Sequence, residues 1–150
     1  MGQTLVFYRY HTVFSTKNRQ PWLTPEILPE LIQVIGGIIR DRDGALLAMN
    51  GTENHVHLLT FFHQKRAVAD VVRDIKAISS DWIHATIPSL SGFAWQNGYG
   101  SFTVSKSLTK DVERYIANQQ KRHRRETFEQ ELIALLDLHE VEYDPQYVLD

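Results

Sequence analysis

Residues 45–62 read ALLAMNGTENHVHLLTFF, and this stretch decides the fold of the chain. Two short runs of strand-forming residues lie on either side of Asn50-Gly51, a dipeptide typical of a tight β-hairpin turn. The stretch therefore predicts a pair of antiparallel strands. It also places two histidines, His55 and His57, on the second strand of the pair.

The sequence on both sides of this hairpin predicts further strands and helices. Residues 4–16 are rich in β-branched and aromatic residues, which favours a strand. Thr24-Pro25-Glu26 is typical of a helix start, and apolar residues then recur at helical spacing to about Arg40. The other predicted elements are a helix over 67–85, two short strands joined by a turn or bulge over 93–105, and helices over 108–122 and 127–139.

The predicted order of elements is β α β β α β α α. This order is the split βαβ arrangement of the ferredoxin-like (palm-like or RRM-like) α+β class. We therefore expect an antiparallel sheet backed by helices, with extra helices at the C-terminal end. A chain of 150 residues has room for one domain, and we expect a single domain over 1–150 with a core over 1–125 and an acidic segment over 126–150.

The net charge of −2 conceals two opposed parts of the chain. The first 125 residues hold all 16 Lys and Arg and ten acidic residues, whereas residues 126–150 hold eight acidic residues. The near-neutral total therefore does not exclude a nucleic-acid partner. We expect the acidic segment to lie away from any surface that meets DNA, or at a contact with a second subunit.

The composition also limits the chemistry of any site. The chain has no cysteine, which excludes disulfide scaffolds, thiolate metal sites and cysteine nucleophiles. Any bound metal must therefore have nitrogen and oxygen ligands. The sequence has neither a signal-peptide pattern in its first twenty residues nor an apolar run of about 18 residues, so we expect a cytoplasmic protein with no membrane partner.

His55 and His57 are the first candidate functional residues. Side chains alternate along a strand, so the two imidazoles can meet one divalent ion while Val56 points into the core. Oxygen ligands would complete the site, which favours Mn²⁺ or Mg²⁺, although imidazole also accepts Zn²⁺. A short His-x-His pattern is more often a pair of surface or hydrogen-bonding histidines. Three flanking residues could support the pair, but as hairpin residues they more often face solvent: Glu53, Asn54 and His63.

Tyr115 and Gln119 are the second candidate pair. They are four residues apart on a predicted helix, and they share a face with apolar residues that point toward the sheet. If this helix packs beside the histidine strand, Gln119 can supply an oxygen as third metal ligand and Tyr115 can direct its hydroxyl to a group that the metal polarises. A helical tyrosine with a buried ring and a solvated hydroxyl is the commoner arrangement.

A basic cluster, KRHRR at residues 121–125, follows the tyrosine. Such a run is most often the solvated end of a helix, where cations also interact favourably with the helix dipole. Its functional interpretation is a track for the phosphate backbone of a nucleic acid.

Together, these motifs resemble the single-strand HUH transposases of small bacterial insertion sequences (transposase A type), which have one catalytic tyrosine, and the related REP-associated tyrosine transposases. The resemblance lies in YHTVFSTKNR near the start, NHVHLL at the histidine pair, WQNGYGSFTVS, and VERYIANQQKRHRR around the tyrosine. The histidine motif alone is weak, but its combination with Y-I-x-N-Q is specific.

The resemblance implies the activity and the roles of individual residues. It implies that Tyr115 cleaves and rejoins single-stranded DNA at hairpin-marked ends through a 5′-phosphotyrosine, with Mg²⁺ or Mn²⁺ held by His55, His57 and Gln119. It also implies a homodimer, which would associate with the bacterial nucleoid when it binds DNA. Candidate DNA-binding residues, which no family motif fixes individually, are Lys17, Arg19, Arg122, Arg124 and Arg125.

Two other functions remain open at this level. The chain could be an inactive or domesticated domain that binds single-stranded or hairpin nucleic acid without cutting it. It could also be a metal-dependent hydrolase that uses water as the nucleophile.

Overall fold

The computed structural model describes residues 2–150, and its central feature is a four-stranded antiparallel sheet with the strand order β2-β3-β1-β4. The strands are β1 (Tyr10–Ser15), β2 (Ala45–Gly51), β3 (His55–Phe61) and β4 (Gly100–Thr103). The α-helices are α1 (Ile27–Arg40), α2 (Val68–Thr86), α3 (Thr109–Ala117), α4 (Gln119–Arg122) and α5 (Phe128–Leu138). The predicted α+β class is confirmed, because α1 and α2 connect the strands in the ferredoxin-like order.

The two faces of the sheet are covered by different helices. Phe14, Val56 and Leu58 lie in the larger core, together with buried residues of α1 and α2. The histidine face is covered by α3, α4 and α5. There, Leu59 packs with Ile116 of α3, and Val13 packs with the apolar residues of α5. Helices α3, α4 and α5 therefore cover the two histidines.

The helix α5 begins with a capping box, in which the side chains of Thr127 and Gln130 each accept a hydrogen bond from the other's backbone N–H. Its apolar residues, which the sequence predicted to share one face, are buried: Phe128, Leu132, Leu135 and Leu136. The helix approaches the sheet closely at Gly100, where a Cβ atom would lie 3.2 Å from Val13 and 3.3 Å from Leu132. The glycine on β4 therefore leaves room for α5 to pack against the sheet.

The hairpin differs from its sequence prediction. Asn50 and Gly51 belong to β2, and the chain turns after them, over 52–54. Gly51 is required for a reason other than a turn conformation: a Cβ atom at this position would lie 2.3 Å from the carbonyl oxygen of His55. Close packing of two backbones, rather than a positive φ, explains the glycine.

Three other elements also differ from prediction. Strand β1 starts at Tyr10 and not at residue 4, and the large apolar side chains over 5–8 are exposed. The predicted helix over 108–122 is interrupted at Asn118, whose φ of −97° and ψ of 17° are not helical. In the 93–105 region, Trp95 makes an isolated bridge to Thr16, so that only β4 is a strand. Within residues 2–150, none of the helices has both the length and the apolar character needed to cross a membrane.

Candidate active site

His55 and His57 lie side by side on β3, and both side chains are completely buried. The Nδ1 atom of His55 is 2.9 Å from Oδ1 of Asn54 and 2.9 Å from Oγ1 of Thr52. The Nδ1 atom of His57 is hydrogen-bonded to Nε2 of His11 at 2.8 Å. Both rings therefore point their Nε2 atoms toward helices α3–α5, while hydrogen bonds hold their Nδ1 atoms on the other side. This arrangement is usual for histidines that bind a metal.

Sequence reasoning missed the supporting residues of this pair. For Asn54 the preferred expectation, a solvent-facing side chain, is wrong and the alternative of support for the histidine pair holds, because its side chain contacts Nδ1 of His55. His11 received no role, although it is on β1 with its side chain only 4% exposed. The sequence did contain a signal for His11. It is two residues before Val13 on the predicted first strand, so the two side chains lie on the same face of the sheet.

Tyr115 and Gln119 reach the histidines from the two sides of the helix break. Oε1 of Gln119 lies 3.2 Å from Nε2 of His55, and the Gln119 side chain is fully buried. The ring of Tyr115 is close to that of His57, with 5.8 Å between the ring centroids. The structure therefore brings together the four residues that the sequence singled out for chemistry.

Asn50 fastens this helical segment to the sheet. Its Nδ2 atom donates to the carbonyl oxygens of Ile116 (3.1 Å) and Ala117 (3.2 Å) and to Oε1 of Gln120 (3.0 Å). Asn50 is paired with His57 across the ladder between β2 and β3, so it links the histidine strand to the end of α3. Because Asn50 precedes Gly51 in a dipeptide typical of hairpin turns, the sequence indicated a turn residue and not a link to α3.

Glu131 of α5 occupies the centre of the cluster. Its Oε1 atom lies 2.8 Å from Nε2 of His57 and 2.9 Å from Nε2 of His123, and its Oε2 atom accepts hydrogen bonds from the Tyr115 hydroxyl and the Gln119 amide. The expectation that the acidic segment lies away from the site is therefore wrong for Glu131. Glu126 of the same segment also lines the cleft beside Tyr115, whereas Glu129 and Asp137 of α5 are exposed.

Burial and charge shift the ionisation of these groups. Burial lowers the pKa of His57 to about 4 and that of His11 to about 3, so both rings are neutral at pH 7. Burial and the hydrogen bond to Glu131 both raise the pKa of Tyr115, so its phenol is protonated. Burial disfavours the Glu131 carboxylate, but hydrogen bonds from His123, His55 and His57 outweigh this effect and lower its pKa. Glu131 is thus a buried carboxylate whose charge is stabilised by hydrogen bonds from its neighbours.

The cluster has a donor set suited to a divalent metal. One donor atom from each of four residues lies within 4.8 Å of the others: His55, His57, His123 and Glu131. All are nitrogen or oxygen donors, as the absence of cysteine requires. A His-rich cluster with a carboxylate could therefore bind a metal ion here.

The candidate DNA-binding residues divide into three locations. Arg122 and Arg125 line a cleft of about 410 Å³ that Tyr115 also lines, and the Arg122 guanidinium lies 4.5 Å from the centre of the Tyr115 ring. Arg124 lines a separate cleft beside His123. The other two are on the turn after β1, where Lys17 is exposed and Arg19 donates to the Leu149 carbonyl at 3.0 Å.

Similar proteins are known for most of the chain. The family model for IS200-like transposases matches residues 5–119. The ISDra2 transposase TnpA of Deinococcus radiodurans is 26% identical over 115 residues, which cover 73% of this chain and 82% of the relative.

Solved structures have the same fold. A crystal structure of a Deinococcus radiodurans R1 protein assigned as a transposase superimposes with a TM-score of 0.65 at 26% identity, covering 79% of this chain and 96% of the other. A REP-associated tyrosine transposase bound to a REP hairpin superimposes with a TM-score of 0.52 at 20% identity, covering 77% of this chain and 68% of the other. The histidine pair, the tyrosine helix, the sheet order and the match over residues 5–119 lead to one conclusion: this chain belongs to the IS200-like transposase family and is a transposase of the HUH type.

Proposed function

We propose that this transposase cleaves and rejoins single-stranded DNA at hairpin-marked ends, with Tyr115 as the nucleophile. One observation carries the proposal: the Tyr115 hydroxyl and the His57 imidazole contact the same carboxylate, that of Glu131. The nucleophile therefore lies beside the proposed metal ligands. Tyr115 is also partly exposed and lines one cleft with Arg122 and Arg125, so a phosphodiester bound in that cleft would lie beside the tyrosine.

The proposed reaction keeps the energy of the phosphodiester bond. The Tyr115 oxygen loses its proton and attacks the phosphorus, the bond from phosphorus to the 3′-oxygen breaks, and the leaving 3′-oxygen takes up a proton. The products are a 5′-phosphotyrosine and a free 3′-hydroxyl. Attack of a 3′-hydroxyl on the phosphotyrosine reverses the step and rejoins DNA without ATP.

His55, His57 and Gln119 are the proposed metal ligands. Their donor atoms face one another, and the Nδ1 contacts of both histidines leave the Nε2 atoms for a metal. When bound, Mg²⁺ or Mn²⁺ would neutralise charge on a non-bridging phosphate oxygen and orient the 3′-leaving group. The residues of this chain would hold the phosphate group close to the Tyr115 hydroxyl.

The proposed partner is single-stranded DNA with a hairpin, and the structure of the similar REP-associated tyrosine transposase is of a complex with a REP hairpin. Arg122 and Arg125 would contact the backbone next to Tyr115, and Lys17, Arg19 and Arg124 would contact it further along. We also propose a cytoplasmic homodimer, because each chain has one candidate tyrosine and an element has two ends. Light scattering of the purified protein tests the dimer.

Replacement of the nucleophile tests the reaction. Tyr115→Phe should form no covalent adduct with a 5′-labelled single-stranded hairpin while still binding it, because only the attacking oxygen is lost. Tyr99→Phe, at another partly exposed tyrosine, is the matched control and should form the adduct normally. An adduct with Tyr115→Phe would refute the nucleophile, and cleavage without any adduct would indicate a hydrolase.

Removal of the metal tests the cofactor. Excess EDTA should abolish adduct formation, and added Mg²⁺ or Mn²⁺ should restore it, because the charge on the phosphate would no longer be neutralised in the chelated protein. Unchanged adduct formation in EDTA would leave the two histidines a structural role only.

A further inference from the structure

The C-terminal helix α5 places one carboxylate, that of Glu131, against the proposed metal ligands. We propose that Glu131 is a fourth ligand of the metal and that His123 is the positioning residue that holds its carboxylate. This inference rests on the proposed function, since it adds a ligand to the same metal. It gives the helix outside the family match over residues 5–119 a part in the site.

The spacing of the donor atoms fits a shared metal. Oε1 of Glu131 lies 2.8 Å from Nε2 of His57 and 3.5 Å from Nε2 of His55, which in turn is 3.2 Å from Oε1 of Gln119. Ligands at right angles around an ion with bonds of about 2.1 Å are about 3 Å apart. These three separations fit donors that share one ion, and four protein ligands would leave further coordination positions for water and phosphate oxygens.

The charge of the cluster also favours this role. Glu131 is only 1% exposed, and a carboxylate removed from water requires a compensating charge. The basic groups facing it are the His123 imidazole at 2.9 Å and the Arg122 guanidinium at 3.8 Å, of which the second is part of an exposed side chain that also pairs with Glu126. A divalent ion held between His55, His57 and Gln119 would add positive charge beside Oε1 of Glu131. Carboxylate and amide oxygens are also ligands that Mg²⁺ and Mn²⁺ accept.

The two carboxylate oxygens of Glu131 have different contacts. Oε1 faces the imidazoles, whereas Oε2 accepts hydrogen bonds from the Tyr115 hydroxyl and the Gln119 amide. His123 is fixed by a hydrogen bond of its Nδ1 to the Glu126 carbonyl at 2.9 Å, so its Nε2 is directed at Oε1. The carboxylate thus connects the nucleophile to the metal position.

The test is direct measurement of Mn²⁺ binding by isothermal titration calorimetry on the full chain without DNA. Glu131→Gln keeps the size of the side chain and removes its charge, and should weaken Mn²⁺ binding at least tenfold. His57→Ala should weaken it as well. The matched control Glu129→Gln, at the exposed glutamate of the same helix, should bind Mn²⁺ within twofold of the parent chain. Melting in EDTA establishes that each variant is folded.

The outcomes separate the inference from the proposed function. If His57→Ala binds weakly but Glu131→Gln binds like the parent chain, the fourth ligand is refuted and the metal site stands. If the parent chain binds no Mn²⁺, the metal assignment itself fails. Should Glu131→Gln not fold, Glu131→Asp replaces it in the titration: it keeps the charge one methylene further away, and parent-like affinity with this variant would also refute direct ligation.

Discussion

Asn50 provides a test of how the structure positions Tyr115, the proposed nucleophile, and the variant is Asn50→Ala. The Asn50 amide makes three donor contacts, to the carbonyls of Ile116 and Ala117 and to Gln120, and it accepts from Nε2 of Gln120 at 2.7 Å. At about 0.5–1.5 kcal/mol for each hydrogen bond, and with one amide shared by several partners at a half-buried position, we expect the free energy of unfolding to fall by roughly 2 kcal/mol.

The effect on activity should be larger than this loss of stability suggests. Without the amide, the end of α3 is no longer held against β2, and a shift of about 1 Å in a reacting group can reduce a rate about 100-fold. The assay is the rate of covalent adduct formation on a labelled hairpin, measured under conditions in which urea denaturation shows the variant to be folded. Asn97→Ala, at an exposed asparagine, is the control and should keep the parent rate. A normal rate in the folded Asn50→Ala variant would refute the positioning role.

Two further predictions concern pH and DNA binding. In metal-free protein, the free energy of unfolding should fall by on the order of 2 kcal/mol between pH 7 and pH 5. The reason is that His11 and His57 have lowered pKa values in the folded protein, so the unfolded chain takes up protons more readily. The stabilising contribution of the two neutral rings is complete above pH 6.5 and is lost as the pH falls toward 4. The raised pKa of His123 opposes this trend in part. Urea denaturation at the two pH values measures the difference, and equal stabilities would contradict the burial of neutral imidazoles. Arg122→Gln should weaken single-stranded DNA binding and reduce the slope of log affinity against log salt by about 0.7, whereas Arg40→Gln, on the opposite face of the sheet, should leave the slope unchanged. Equal slopes for both variants would remove Arg122 from the DNA contact.

The fold and the histidine pair could be predicted from sequence because both depend on local patterns. Alternation along β3 puts His55 and His57 on one face with Val56 opposite, and helical spacing predicts that Tyr115 and Gln119 lie together. The helix break at Asn118 did not disturb this result, because both residues still point at the sheet.

Glu131 could not be predicted by the same means. Its contact with His57 joins residues 74 positions apart, and total charge, which the sequence argument used, takes no account of which carboxylate is buried. A local signal existed: Glu131 is three residues after Phe128 and four before Leu135, so it lies on the apolar face of α5. The hairpin was misplaced for a related reason, since Gly51 is needed for a close approach of two backbones that only the folded sheet reveals.

The position of α5 over the two histidines also has a consequence for synthesis of the protein. The sheet is complete once β4 has been made, but Glu131 follows it by almost thirty residues, and the chain leaves the ribosome from its N-terminal end. A nascent chain with a folded sheet would therefore still lack the helix that covers its two histidines. We therefore expect the candidate site to assemble only after the sheet has formed, when α5 packs over the two histidines and brings Glu131 to them.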